Sequence, residues 1–142
     1  LILSSLAFST PIDSKTREKV YQIGLSFHVP VSVTRQLMYE ESRGELNAVS
    51  QQTSEGYVSK GLFQIYTKPD DLAWILWKFW KSDEPFDIEN PIDNATVALA
   101  YLSSLHDRFG NWYEACLYFN HGDVKGCSEQ TRAYARRIVN AK

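Results

Sequence analysis

The chain has 142 residues, 44% of them hydrophobic and 23% charged, with a net charge of −2. That length holds one domain with a real core, and the near-neutral charge gives no support to binding nucleic acid or an anionic membrane by bulk electrostatics. His28, His106 and His121 are scattered, and Cys116 and Cys127 are not at a zinc spacing, so neither a metal nor a cofactor is expected.

Leu1 to Ser9 is apolar but too short to span a bilayer, which takes ~20 residues. It reads as the end of a signal-peptide core, with Ala7-Phe8-Ser9 as a small-x-small cleavage site; the plainer alternative is a short buried strand or helix start. Residues 1–12 are thus read as a leader remnant or N-terminal extension, and 13–142 as the folded domain. Asp13 suits the N-cap of a helix through His28, with Val20, Ile23 and Phe27 on one face, ended by Pro30. Ser32 is placed to cap the next helix, which runs through Leu37 and Met38 into Glu41 before Gly44 breaks it. Asn47 to Lys60 has no period and reads as a loop, with strand-like pieces near Gly61. Pro69 suits the first turn of a helix carrying Trp74, Trp77 and Trp80. Lys81 to Asp93, with Pro85 and Pro91, reads as a connector. Asp93 is the expected cap of a helix from Asn94 to Phe109, with Val97, Tyr101, Leu102 and Leu105 on its apolar face and Gly110 as its stop. Asn111 begins a helix through Phe119, and the last helix starts near Thr131. The expected class is all-α, one domain.

Three stretches carry the chemistry: Glu41-Ser42, Gly61-Leu62-Phe63-Gln64 and Asn120-His121-Gly122. Each sets a reactive or amide side chain among small or apolar neighbours, which suits a cleft where one carboxyl works and amides hold a polar substrate. There is no Ser/His/Asp arrangement. A lone acid at the end of an apolar helix points to protonation of a glycosidic oxygen. Aromatic residues, 13% of the chain, pack cores and also stack on sugar rings. Each feature has a plainer reading. Glu41 alone is a charge in a C-terminal turn. Glu40 points about 100° away from it and reads as a solvated surface charge. Gln64 and Asn120 are ordinary turn or cap amides. Trp74, Trp77 and Trp80 pack a core rather than wall a sugar site, and Arg132, Arg136 and Arg137 form a solvated basic face. Cys116 and Cys127 either close the Asn120 loop as a disulfide or are two buried thiols.

Together these segments resemble the catalytic domain of the lytic transglycosylases, relatives of the G-type lysozymes. The matching stretches are Glu41-Ser42 with Asn47-Ala48-Val49-Ser50, then Gly61-Leu62-Phe63-Gln64-Ile65, then Asn120-His121-Gly122, then Thr131-Arg132-Ala133-Tyr134-Ala135-Arg136-Arg137. They stand in the family's order over roughly residues 20–140. The resemblance implies a lysozyme-like domain with a substrate cleft and peptidoglycan glycan strands as substrate. It implies an exported, periplasmic or cell-envelope protein, alone or within a larger envelope machine. It makes Glu41 the single catalytic acid and base, assisted by the substrate's own 2-acetamido group, with 1,6-anhydro ends as product. Ser50 lies near the acid, Phe63 lines the pocket where the family often has Met, and Gln64 bonds sugar or amide groups. Asn120 supports the cleft and Tyr134 lines it.

Two departures stand out. The family's tyrosine that hydrogen-bonds the acid is replaced by Phe119, which leaves Glu41 to lean on Ser50 or Tyr134, or to sit in an apolar pocket with a raised pKa. His121 replaces a small residue. Two other functions stay open at this stage. One is a hydrolytic muramidase, which needs a second carboxylate or a positioned water and for which Glu45, Glu55 and Asp70 are nominal candidates. The other is a non-catalytic glycan-binding module.

Overall fold

Side chains cap most of the helix starts in the computed structural model, which describes residues 10–69, 71–81 and 83–142. Leu1 to Ser9, and with them the leader reading, lie outside the described residues. α1 (Ser14–Ser26) begins where Asp13 accepts the Thr16 N–H at 2.9 Å. α2 (Val31–Ser42) begins one residue before the expected cap. Pro30 holds the N-cap position with φ −58° and its carbonyl accepts the Thr34 N–H at 3.0 Å, so Ser32 falls inside the first turn. The strand-like pieces expected near Gly61 are an antiparallel pair, β1 (Ser59–Lys60) and β2 (Ile65–Tyr66), closed by the Gly61–Gln64 turn.

α3 (Leu72–Trp80) starts later than Pro69 suggests, because Lys68 to Asp71 first close a turn, Asp71 N–H to Lys68 O at 3.2 Å. α4 (Pro91–Phe109) starts earlier than expected. Asn90, not Asp93, is the cap, accepting the N–H groups of Ile92 at 2.9 Å and Asp93 at 3.3 Å. Pro91 read as a breaker but occupies the first helical turn, where its missing N–H has no partner to lose. α5 (Trp112–His121) is capped by Asn111, which accepts the Glu114 N–H at 2.8 Å, and runs two residues past Phe119 to end at Gly122, φ +83°. α6 (Glu129–Val139) is capped by Ser128 through the Thr131 N–H at 3.1 Å.

α4 is the spine. Its buried stripe, including Ala95, Val97, Ala98, Leu102 and Leu105, packs against α1, α3 and α5, while α6 packs across α5 and α2. Leu37, Leu62, Leu99, Leu102 and Ile138 are fully buried, each burial worth about 1.5–3 kcal/mol. At the α1–α2 contact, a Cβ on Gly24 would meet Thr34 Oγ1 at 2.4 Å, so glycine permits the close approach. Two of the tryptophans pack as the plainer reading has it. Trp77 is buried, donates to Glu84 O at 2.8 Å and lies 5.1 Å from Phe86, and Trp74 meets Phe86 at 4.8 Å. Trp80 stays 40% exposed, stacked on Phe27. The class is all-α with one small hairpin among the described residues, and no described helix is long and apolar enough to cross a membrane.

Candidate active site

The end of α2 fixes the acid. Arg43 adopts a left-handed conformation, φ +56°, and donates its N–H to Tyr39 O at 2.9 Å. The buried Ser42 hydroxyl donates to Met38 O and accepts the Gly44 N–H, both at 3.2 Å, so this serine locks the helix end. Glu41 is therefore held in the last turn, 4% exposed, and Tyr134 of α6 donates its hydroxyl to Glu41 Oε1 at 2.6 Å. Burial pushes the Glu41 carboxyl up to about 7; the Tyr134 hydrogen bond pulls the other way, and the neighbouring Glu40 charge adds to the rise. Burial, followed by the charge of Glu41, holds the Tyr134 hydroxyl well above the ordinary tyrosine range, so it remains a donor. Cys116 of α5 also interacts with Glu41, and burial pushes its thiol up to about 12, so it stays neutral.

A cleft of about 580 Å³ opens over this pair between α2 and α6, lined by Glu40, Glu41, Asn120, Thr131, Tyr134 and Arg137 among others. Asn120 is exposed at the end of α5, and its Oδ1 accepts from the Thr131 hydroxyl at 2.9 Å, joining α5 to the start of α6. Glu40 corrects the sequence reading. It is not a solvated surface charge: it lines the same cleft and binds Arg137 through Nε at 2.5 Å and Nη2 at 3.2 Å, with its side chain 11% exposed. Arg132 and Arg136 both pair with Glu129, so all three arginines of the expected basic face are engaged.

Of the residues singled out in the sequence, Glu41, Asn120 and Tyr134 come together in this cleft; Ser50, Phe63, Gln64 and Phe119 do not line it. Ser50 accepts the Ser59 N–H at 2.8 Å and donates to Gln51 O at 3.0 Å, which commits its hydroxyl to the loop backbone. Phe63 is 1% exposed in the core. Gln64, at φ +52°, donates through Nε2 to Gly61 O at 3.0 Å and Ala48 O at 3.2 Å, while its buried Oε1 has no hydrogen-bond partner. Phe119 lies against Tyr101 at 5.7 Å in a separate small groove with Ile65 and Leu72. The hydroxyl on Glu41 comes from Tyr134.

The Gly61–Gln64 turn is pinned by a residue the sequence reading passed over. Asn94, fully buried on α4, accepts the Phe63 N–H at 2.9 Å and donates to Lys60 O at 2.9 Å and Ile88 O at 3.0 Å. The signal for it was present: an amide in the first turn of the apolar stripe of α4. Of the nominal second carboxylates, Glu45 accepts the Thr10 N–H at 2.8 Å and Glu55 pairs with Lys68 at 2.5 Å, and neither lines the Glu41 cleft; Asp70 lies outside the described residues. Cys116 and Cys127 are both buried free thiols. Among the described residues no group of three or more His, Cys, Asp or Glu side chains is placed to hold a metal ion.

A buried acid that is protonated near neutral pH, oriented by a phenol at the wall of an open cleft, can deliver a proton to a bound oxygen. Residues 20–141 match the family described as transglycosylase SLT domain. Neither a search of curated proteins nor one of solved structures found a match.

Proposed function

The chain belongs to the transglycosylase SLT domain family, and from that premise we propose that it is a lytic transglycosylase in which Glu41 alone serves as acid and base. The family assigns it lytic transglycosylase-type activity on peptidoglycan in general. The finer reading is cleavage of the MurNAc–GlcNAc β-1,4 bond. The Glu41 carboxyl protonates the glycosidic oxygen as the C1–O bond breaks, and the 2-acetamido oxygen of the same sugar bonds to C1. The Glu41 carboxylate then takes the proton of the C6 hydroxyl, whose oxygen displaces the acetamido oxygen from C1. The product is a 1,6-anhydro end, and the carboxyl is again protonated for the next cycle.

The observation that carries this reading is the Glu41–Tyr134 pair: a carboxyl 4% exposed, raised to about 7 and hydrogen-bonded at 2.6 Å, on an open cleft. A general acid needs a pKa near its working pH, and burial supplies that shift here. The engagement of Glu45 and Glu55 elsewhere, and of Glu40 with Arg137 at the cleft, supports a mechanism with one working carboxyl. A peptidoglycan substrate implies work outside the cytoplasm, and we place the domain in the periplasm or cell envelope, alone or within a larger wall-remodelling machine.

Mass spectrometry of purified murein after digestion checks the reading. Release of fragments with 1,6-anhydro ends is expected. Reducing ends would make the protein a hydrolytic muramidase, and no release by folded protein would make it a binding module; either result contradicts the proposal.

A further inference from the structure

Glu40 and Glu41 are consecutive in the last turn of α2, and both line the cleft. Their partners, Arg137 and Tyr134, are three residues apart on α6 and so lie on one face of that helix. The two helices thus meet through two parallel contacts, one to each glutamate. Arg35 of α2 makes a further tie to the backbone carbonyl of Lys142, just beyond α6. The Glu40–Arg137 contact is two-pronged, with the Glu40 side chain 11% exposed and the Arg137 side chain 54% exposed, so it is the fork geometry that distinguishes it from a loose surface pair.

We propose that the Glu40–Arg137 ion pair is a positioning element for the acid: it holds the end of α2 against α6 in the register that brings Tyr134 to Glu41, and it offsets part of a neighbouring negative charge that would otherwise disfavour the carboxylate Glu41 becomes on giving up its proton. Arg137 therefore acts through Glu40, and neither residue needs to touch the scissile bond. The proposal rests on the reading of Glu41 as the acid. The ionisable groups around Glu41 are few among the described residues. Tyr134 and Arg137 come from α6, Cys116 from α5, and Tyr39, Glu40 and Arg43 from its own helix end, while no ionisable group of α1 lines this cleft. Of the charged side chains at the cleft, Glu40 acts directly on Glu41 and disfavours its ionised form, and Arg137 is the cation bonded to Glu40.

The signs follow. Removing the Arg137 charge leaves Glu40 uncompensated, disfavours ionised Glu41 and raises its pKa. Removing the Glu40 charge leaves the guanidinium uncompensated and lowers it. A general acid works in its protonated form, so its titration forms the alkaline limb of the kcat/KM profile. Arg137→Met should move that limb up by about half a pH unit or more, and Glu40→Gln should move it down. The double variant balances the charge but lacks the contact, so its limb should lie between those of the single variants while kcat falls, and Arg137→Lys, which keeps the charge, should leave the limb near wild type. A ¹³C-carboxyl NMR titration of Glu41 in the same proteins should show the same order. Should Arg137→Met fail to fold, Glu40→Gln carries the test with the opposite sign. A Glu41 titration unmoved in the single variants overturns the proposal, whether activity is unchanged or falls equally at every pH. Wild-type protein that releases nothing from murein defeats the catalytic reading instead, and the NMR titration still decides whether the ion pair governs Glu41.

Discussion

A carboxyl group 4% exposed gives up most of its hydration when ionised, and one hydrogen bond from Tyr134 returns only part of it. The shift from 4.5 to about 7 corresponds to roughly 3 kcal/mol against the ionised fold. Because the folded pKa lies above the unfolded one, the fold keeps its full stability below about pH 4.5. It loses stability as pH rises through 7, and the loss then levels off. Glu41→Gln removes that loss. It should be close to wild type in melting temperature at acid pH and more stable by roughly 5–10 °C at pH 8, with murein cleavage abolished. A melting-temperature difference that stays constant with pH would mean that the carboxyl is not strained by burial. Tyr134→Phe removes the donor to the carboxylate, so the Glu41 pKa should rise further. The alkaline limb of activity should then move up by about one unit, with a lower rate at the optimum because the carboxyl is no longer held. An unmoved limb would remove Tyr134 from the site. At this scale the proposed acid could be singled out because few residue types perform the chemistry. Its partner was narrowed to alternatives only, since an approach across 93 positions of sequence depends on how helices pack, which local pattern does not contain.

Caps and turns decide where the functional segments stand. Asp13 and Asn111 announce themselves, since a polar side chain just before an apolar period has one obvious use. Pro91 and Pro69 misled in opposite directions, because proline both stops a helix and suits its first turn, and only the neighbouring side chain decides. The Gly61–Gln64 turn depends on two residues most of all. A Cβ at Gly61 would sit 2.5 Å from Asn94 Nδ2, at φ +81°, so Gly61→Ala should cost at least about 2 kcal/mol through backbone strain and displacement of that amide. Asn94→Leu leaves the Phe63 N–H and two carbonyls without their partner and should cost roughly 3 kcal/mol or more. Urea unfolding measures both. Losses below about 1 kcal/mol would show that the turn is not held from α4.

Across the whole molecule, α4 supplies the spine while α2, α5 and α6 bring Glu41, Asn120 and Tyr134 to one cleft. The all-α class was legible because the apolar spacing is helical in every long segment. The order of the motifs carried the family resemblance. The division of labour among them was not legible, because Ser50, Phe63 and Gln64 look as well suited to a cleft in sequence as Asn120 does, yet the fold commits the first three to loop backbone and core. Glu40 was misread for a related reason: a step of about 100° around a helix separates solvent from core on a flat face, but not at a helix end that opens into a cleft wide enough to take both side chains. The central claim is that the group which cleaves murein is the buried carboxyl of Glu41. The most direct measurement is the pH dependence of kcat/KM for murein solubilisation, set beside the ¹³C-carboxyl titration of Glu41 in the same protein. The account requires both to report one ionisation at about 7, with activity falling on the alkaline side as the carboxyl loses its proton. Full activity far above that pH, or a Glu41 carboxyl that titrates in the ordinary range while cleavage proceeds, would contradict it.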